Sequence, residues 1–471
     1  VSGEIDADVP SRVWGGNEEY AISEDGLTVF FTARIRDGNE PTSTNFDIYS
    51  APVNGDGPTV NLTEANAAWD TQPVLSPDGS SLAYLAMQRP DFEADRFAIM
   101  IRDLDTGKTR ELAPDWDRSA SSITFSDDGR FIYANAHDLG NMTLWRFDVV
   151  TGESTRLVDK GYVSALDDGA SGTVFARDDL QSPSELFIID HNGAKPRQLT
   201  HVSAKQLEGV TMGDYEQFSF AGANDETVYG YVMKPAGFEQ GKQYPIAFLI
   251  HGGPQGSFGN HFHYRWNPQT YAGQGFAVVF IDFHGSTGYG QDFTDSISGD
   301  WGGNPLRDLQ LGLQAALEKY EFLDGDNACA LGASYGGYMI NWIAGQWPKR
   351  FKCLVNHDGI FDNRMMYYTT EELWFPEWEH GGPYYATPDT YEKFNPLHFV
   401  DRWQTPMLVI HGELDYRVPV TQGIGTFTAL QRRGIPSKFL YFPDENHWVL
   451  KPQNSVQWHR EVNAWLRQYL Q

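Results

Sequence analysis

From Val1 to about Gln206, short apolar runs alternate with polar positions, the period-2 pattern of strands with one buried face. Runs such as Leu27-Thr28-Val29-Phe30-Phe31 and Ser81-Leu82-Ala83-Tyr84-Leu85 each follow a turn sequence. Ser23-Glu24-Asp25-Gly26, Ser76-Pro77-Asp78-Gly79, Ser126-Asp127-Asp128-Gly129 and Leu166-Asp167-Asp168-Gly169 are four versions of it. A further strand comes next, as in Asp47-Ile48-Tyr49-Ser50 and Leu144-Trp145-Arg146-Phe147-Asp148. An Asp-Gly pair supplies the positive φ of a tight hairpin. The turns begin at 23, 76, 126 and 166, a spacing of 53, 50 and 40 residues, which suits the blades of a β-propeller. A β-sandwich with four similar hairpins is the alternative. The pattern predicts about four blades over residues 1–206. Val1 to Tyr20 reads as the tail of an earlier repeat, so the chain is expected to begin partway through a larger, truncated propeller.

Beyond Asp214 the pattern changes to apolar runs separated by helical stretches. Val228–Met233, Ile246–Ile250, Phe276–Ile281, Ala328–Leu331, Cys353–Val355, Met407–Ile410 and Ser437–Phe442 read as strands. Leu306–Tyr320, Tyr338–Gln346, Ile424–Arg433 and Gln457–Tyr469 read as helices. Continuous apolar strands between helices imply a mainly parallel sheet covered on both faces, an α/β domain over residues 207–471. The boundary falls at Gln206 to Gly213.

Composition narrows the function. The chain has 471 residues, enough for two or three compact units, and a net charge of −28. That excess of acid excludes nucleic-acid binding through a basic face. Apolar residues make up 41% and aromatics 14%, which excludes a disordered chain. The longest apolar runs are strand-length, so no membrane span is expected. No leader-like segment opens the chain, so a targeting signal is expected to be absent from it or removed. The two cysteines, Cys329 and Cys353, fall on neighbouring predicted strands and are expected to be free buried thiols. Asn61-Leu62-Thr63 and Asn141-Met142-Thr143 fit glycosylation acceptors. No His, Cys and carboxylate cluster has metal-ligand spacing and no loop cradles a phosphate, so neither metal nor cofactor is expected.

The sharpest motif is Gly332-Ala333-Ser334-Tyr335-Gly336-Gly337, between a predicted strand and a predicted helix. Its glycines permit a cramped turn that holds the Ser334 hydroxyl proud of the sheet as a nucleophile. A serine hydroxyl needs a base and an orienting carboxylate, here following in the order acid, then histidine. Asp415 lies in the loop after the strand Met407–Ile410, with Glu413 as its rival, and His447 is the only later histidine. His251, His357 and His411, also near strand ends, are assigned structural or oxyanion-loop roles. Ser334, Asp415 and His447 are the expected triad. The oxyanion donors are expected to be the backbone N–H of Tyr335 and that of Gly253, in His251-Gly252-Gly253-Pro254.

These stretches, with Gly285-Ser286-Thr287-Gly288-Tyr289-Gly290 and Asp444 to Trp448, resemble the prolyl oligopeptidase family of serine peptidases. The resemblance spans the whole second half and implies a β-propeller joined to an α/β-hydrolase domain. Tyr264-Arg265-Trp266-Asn267, Leu373 to Trp378 and Phe92 to Arg96 look like its dipeptidyl-peptidase V branch. That branch implies release of dipeptides from the free amino termini of short peptides, with Ala or an apolar residue before the cut. Two departures stand out. His284 occupies a position where acylaminoacyl-releasing relatives usually have Arg, and the family's propellers usually have more than four blades.

A free amino terminus calls for a carboxylate, and Glu93 in the loop Gln88–Arg96 is the first candidate, with Asp95 second. Arg265 or Asn267 could hold a substrate carbonyl, while Tyr367, Tyr368 and Trp374 could line an apolar pocket. The propeller is expected to cover the site and exclude folded proteins. An acylaminoacyl-peptidase or oligopeptidase is the nearest alternative. A carboxylesterase and a propeller-based binding protein with a dead hydrolase domain are more remote. The resemblance also implies a periplasmic or secreted enzyme and leaves room for a homodimer.

Overall fold

The structure, a computed structural model, describes residues 5–11, 15–191 and 195–471. The chain divides into two compact units, Val1–Gln206 with Gly288–Gln291, and Leu207–Thr287 with Asp292–Gln471.

The first unit consists of successive four-stranded antiparallel meanders. Tyr20–Ile22, Thr28–Ile35, Asp47–Pro52 and Val60–Asn61 form the first, whose second strand also pairs with Ala7–Asp8. Asp70–Leu75, Ser81–Ala86, Ala98–Asp103 and Thr109–Leu112 form the second. The third runs through Ala120–Phe125, Phe131–Asp138, Asn141–Asp148 and Ser154–Val158. The fourth comprises Tyr162–Gly169, Gly172–Asp179, Ser182–Ile189 and Arg197–Gln198. The leading strands of consecutive meanders pack side by side. Apolar clusters lie between meanders: Phe30 and Ile48 meet Leu82 and Tyr84, and Leu85 and Ile99 meet Ile132 and Phe147. Burial of these faces is what holds one meander on the next.

The repeated turn has a specific chemistry. In the first three copies the serine hydroxyl donates to the aspartate carboxylate, at 2.6 Å for Ser23–Asp25, 2.6 Å for Ser76–Asp78 and 2.7 Å for Ser126–Asp128. The same hydroxyl accepts the N–H five residues on, from Thr28, Ser81 and Phe131, each at 2.9 Å. Gly26, Gly79 and Gly129 take φ of 72°, 69° and 70°, which a side chain would oppose. These hydrogen bonds favour the ionised carboxylate and hold Asp78 down to about 2.

The fourth copy behaves differently. Leu166 has no hydroxyl to bridge the turn, so the strand runs on to Gly169 and the hairpin reverses at residues 170–171, with Gly169 paired to Gly172. Asp168 accepts instead from Thr173 Oγ1 at 2.8 Å. Asn141, in one of the glycosylation triplets, is buried and accepts the Gly161 N–H at 3.1 Å, so its amide is turned inward.

In the second unit eight strands form one sheet: β1 Tyr215–Ala221, β2 Thr227–Met233, β3 Tyr244–Ile250, β4 Ala277–Asp282, β5 Leu323–Ala333, β6 Cys353–His357, β7 Met407–Gly412 and β8 Ser437–Phe442. Their spatial order is β1-β2-β4-β3-β5-β6-β7-β8, antiparallel across β1, β2 and β4 and parallel from β4 to β8. Sequence pattern alone missed β1, whose residues are all half-exposed or exposed except Phe218 and carry no apolar run. The central strands are buried on both faces: Ile246 to Ile250 and Ala277 to Ile281 are each 0% exposed. Helices Asn304–Lys319, Tyr335–Gln346, Thr421–Arg432 and Pro452–Leu470 supply the crossovers and the final cover. The parallel register aligns Leu249, Leu331, Val355 and Leu408, so the carboxyl ends of β3, β5, β6 and β7 lie side by side. In such sheets that edge is where reacting groups gather.

The cysteines correct an expectation. Cys329 and Cys353 face each other in register on β5 and β6 and are joined by a disulfide with a Cα–Cα distance of 4.8 Å. Adjacent parallel strands brought the sulfurs within bonding reach, and burial alone did not keep them apart. Among the described residues, no helix is long and apolar enough to cross a membrane.

The turn chemistry makes a direct prediction. Ser76→Ala removes one hydroxyl that both donates and accepts, and should cost about 1 kcal/mol of stability, seen as a lowered urea midpoint. An unchanged midpoint would show that the hydroxyl bridge does not stabilise the hairpin.

Candidate active site

Ser334 stands between the end of β5 and the helix Tyr335–Gln346, with φ 58° and ψ −122°. A serine in that region is strained and is kept there only by its surroundings. The three glycines explain how. A Cβ on Gly336 would lie 2.3 Å from the Ile250 carbonyl oxygen, and one on Gly337 would lie 2.6 Å from that of His357. A Cβ on Gly332 would meet the Gly336 carbonyl at 2.4 Å. The turn is therefore wedged between the ends of β3 and β6, backbone on backbone.

Two acceptors hold the Ser334 N–H: the His357 carbonyl at 3.1 Å and Asp358 Oδ1 at 2.6 Å. Among the described residues, the Ser334 hydroxyl makes no hydrogen bond to His447. A hydrogen bond that hands a proton to a base is often long without substrate and tightens when substrate binds.

Asp415 is buried in the loop after β7, where Oδ1 accepts the N–H groups of Arg417 at 3.1 Å and Val418 at 2.8 Å. Its Oδ2 lies 2.7 Å from His447 Nδ1. Burial opposes its charge, but the adjacent His447 and hydrogen bonds from His447 and His411 hold it well below the usual carboxylate range. Glu413, the rival, points to Tyr441 at the exposed surface. For His447, burial favours the neutral imidazole, yet the charges of Asp358 and Asp415 together raise its pKa above the ordinary value.

The loop that carries His447 is organised by a residue sequence reasoning passed over. Buried Glu445 accepts from the N–H groups of Leu450 at 2.8 Å and Lys451 at 3.0 Å, and from Asn454 Nδ2 at 2.6 Å. A Cβ on Gly412 would strike the Glu445 carbonyl at 2.5 Å, so the acid and histidine loops also meet backbone on backbone.

The glycine loop after β3 lies against the serine. A Cβ on Gly252 would come within 3.2 Å of Ser334 Cβ, and Gly253 follows with φ +131°. His251 braces the loop from beneath, its Nε2 2.8 Å from Ser286 Oγ and its ring stacked on Phe283 at 4.1 Å. Burial lowers its pKa to about 4, which keeps it neutral. Gln255 donates to the buried Glu379 at 2.8 Å, and Glu379 also accepts from Trp301 Nε1 at 2.6 Å and Ser298 Oγ at 3.1 Å. The Tyr335 N–H opens a helix, where no carbonyl one turn earlier is available to it.

The remaining candidates separate. Arg265 is half-buried and lines a small crevice with Trp266, His357, Trp448 and Trp458, where burial lowers its pKa and the nearby Asp358 charge raises it. Asn267 is buried and its side chain caps the helix Pro268–Ala272 by accepting the Gln269 N–H at 2.9 Å. Tyr367 and Trp374 are buried within an aromatic cluster, the Tyr367 hydroxyl 3.0 Å from Glu377 Oε1, whereas Tyr368 is exposed. His284 pairs its Nδ1 with buried Asp308 at 2.5 Å, so it is engaged inside the unit. In the first unit Glu93 is half-buried. Its neighbour Asp95 is committed to the loop, accepting from the N–H groups of Gln88 and Arg89, each at 2.8 Å, and from Arg89 Nε at 2.7 Å.

Asp358 and Asp415 each bring a carboxylate oxygen, and His447 a ring nitrogen, to within 4.8 Å of one another. The near oxygens of both carboxylates face the same nitrogen, His447 Nδ1; Asp415 is at hydrogen-bond distance, 2.7 Å, and Asp358 stands farther off at 3.5 Å.

Comparison with known proteins agrees with this arrangement of strands and loops. Residues 262–471 match the Prolyl oligopeptidase family. Over 98% of its length the chain is 39% identical to the probable dipeptidyl-peptidase 5 of Emericella nidulans and covers 66% of that protein. It is 36% identical to the dipeptidyl-peptidase 5 of Schizosaccharomyces pombe, again over 98% of the chain, and covers 67% of that relative. A solved acylaminoacyl peptidase in complex with Z-Gly-Gly-Phe-chloromethyl ketone superposes with a TM-score of 0.84 at 22% identity, over 98% of this chain and 71% of that one. The uncomplexed Pyrococcus horikoshii acylaminoacyl peptidase gives 0.83, also at 22% identity, over 96% and 71%. The chain belongs to the prolyl oligopeptidase family. It spans about two thirds of the length of the curated relatives it matches.

Gly336→Ala tests the wedge. With a methyl group 2.3 Å from the Ile250 carbonyl, the turn should be displaced, with stability lowered by about 1–3 kcal/mol and Ser334 reactivity lost. A variant of unchanged melting temperature and reactivity would show that the turn does not depend on this approach.

Proposed function

We propose that the chain is a serine peptidase that releases dipeptides from the free amino termini of short peptides. The observation that carries this reading is the buried His447–Asp415 pair, 2.7 Å apart, beside the strained Ser334 turn. Its support from kinship is the 36–39% identity to proteins named dipeptidyl-peptidase 5. Ser334 attacks the carbonyl of the second residue while His447 takes its proton, and Asp415 fixes the imidazole and stabilises the imidazolium. The N–H groups of Tyr335 and Gly253 receive the oxyanion. His447 then protonates the leaving amine, and water releases the dipeptide from the acyl-enzyme by the same route.

The second unit is read as an α/β-hydrolase domain and the first as four blades of a β-propeller. Side-by-side leading strands and apolar clusters between successive meanders support the latter. Glu93 is the carboxylate proposed for the substrate ammonium, and Arg265 the donor proposed for a substrate carbonyl. Asn267, Tyr367 and Trp374 have structural duties that account for them without substrate. The Cys329–Cys353 bridge favours an oxidising location, periplasmic or secreted.

A chromogenic Ala-Ala substrate and its N-blocked twin separate this reading from an acylaminoacyl-peptidase. Only the free-amine compound should be cleaved, and Ser334→Ala should abolish the cleavage. Glu93→Gln should raise KM about 10- to 100-fold, the value of one charge-assisted hydrogen bond, with kcat little changed. Cleavage of the blocked compound would instead favour the acylaminoacyl reading.

The raised His447 pKa sets the acid side of the activity. His447 must be neutral to accept the serine proton, so kcat/KM should fall as pH drops through a midpoint above histidine's ordinary value of about 6.5. A midpoint below that value would contradict the two-carboxylate environment.

A further inference from the structure

The imidazole of His447 has two carboxylate neighbours. Asp415 Oδ2 is 2.7 Å from Nδ1, and Asp358 Oδ2 is 3.5 Å from the same atom. Asp415, Asp358 and His447 are 2%, 1% and 6% exposed, so water does little to screen the charges from one another. Asp358 directly follows β6, with φ 42°, and its N–H is held by the Ile410 carbonyl of β7 at 2.9 Å. Its other oxygen, Oδ1, accepts the Ser334 N–H at 2.6 Å. One side chain thus reaches both the nucleophile's backbone and the base.

We propose that Asp358 is a positioning residue of the catalytic centre, one whose carboxylate fixes the Ser334 turn with one oxygen and stabilises the His447 imidazolium with the other. The proposal rests on the serine-peptidase reading above. In the attack step the proton passes from Ser334 Oγ to His447 Nε2 as the oxygen bonds to the substrate carbon. The imidazolium then faces two carboxylates. Asp415 accepts a hydrogen bond from Nδ1–H and stays ionised, while Asp358 lowers the energy of the cation by charge alone.

Other charged groups face this pair. His357 Nε2 lies 3.3 Å from Asp358 Oδ2, and burial lowers its pKa to about 4, leaving it neutral. Arg265 is near enough to Asp358 for their charges to interact. His411 Nε2 lies 3.5 Å from Asp415 Oδ2, and Arg417 opposes the imidazolium charge. At His447 two anions therefore work against burial and one guanidinium group, and removing one anion should be felt there.

Asp358→Asn is the direct test, because the amide oxygen still accepts the Ser334 N–H while the charge is gone. The readout is the rate at which a fluorophosphonate probe labels Ser334, measured across pH. Labelling of the unaltered protein and none of Ser334→Ala establishes Ser334 as the activated nucleophile on which that reading rests. Absence of labelling in the unaltered protein overturns that reading itself. An opposite charge this close ordinarily raises a histidine pKa by about 1–3, so in Asp358→Asn the acid midpoint should move down by about one pH unit. The plateau rate should fall by up to about tenfold.

A variant labelled at an unchanged rate and midpoint overturns the inference and leaves the peptidase reading intact. Should Asp358→Asn not fold, NMR titration of His447 in Asp415→Asn reads the same charge. A midpoint higher in Asp415→Asn than in the same variant carrying Asp358→Ser supports Asp358, and equal midpoints overturn the role.

Discussion

The second unit depends on a contact in which no side chain takes part. The turn at Ser334 is closed by peptide groups of β3 and β6 pressed onto Gly336 and Gly337, at distances that exclude even a methyl group. Because that approach fixes the turn, it also fixes the backbone N–H groups on either side of the serine, one toward Asp358 and the other at the mouth of a helix. The glycine loop after β3 rests on the same turn at Ala333 and Ser334. Rigidity here comes from exclusion of volume, which is why three glycines in six residues stiffen the structure instead of loosening it.

Around that wedge lies an unusual density of buried charge. Asp358, Asp415, Glu445, Glu379 and Asp308 are all nearly inaccessible, and each is given hydrogen-bond donors by loops at or near the strand ends. A buried carboxylate without donors would be costly, so each of these acids defines the path of the loop that satisfies it. These acids of the second unit thus act as organisers of chain segments.

Much of the second unit was legible because its signals are local. Strand-length apolar runs fixed seven of the eight strands approximately, and a serine flanked by glycines announces its turn. Asp415 could be told from Glu413 only by asking which carboxylate sits where the loop turns back, and the structure answers with the N–H groups of Arg417 and Val418. Asp358 was passed over although it directly follows a strand beside the Ser334 turn, a position that could have drawn attention. Its neighbours in space are distant in sequence, and no spacing rule reveals them. In the first unit the Ser-x-Asp-Gly hairpins were readable, but the fourth was placed two residues early. There a leucine replaces the serine whose hydroxyl defines the turn, and pattern similarity hid a missing hydrogen bond.

The disulfide has a geometrical meaning beyond joining two strands. Cys329 precedes Ser334 by as many residues as Cys353 precedes Asp358, and the cysteines are direct partners in the ladder. Parallel strands that start level finish level, so the bridge acts as a common origin from which two equal lengths of chain are measured out. A slip of one residue between β5 and β6 would separate serine from aspartate and turn their side chains to opposite faces of the sheet. The covalent bond removes that slip from the alternatives open to the chain.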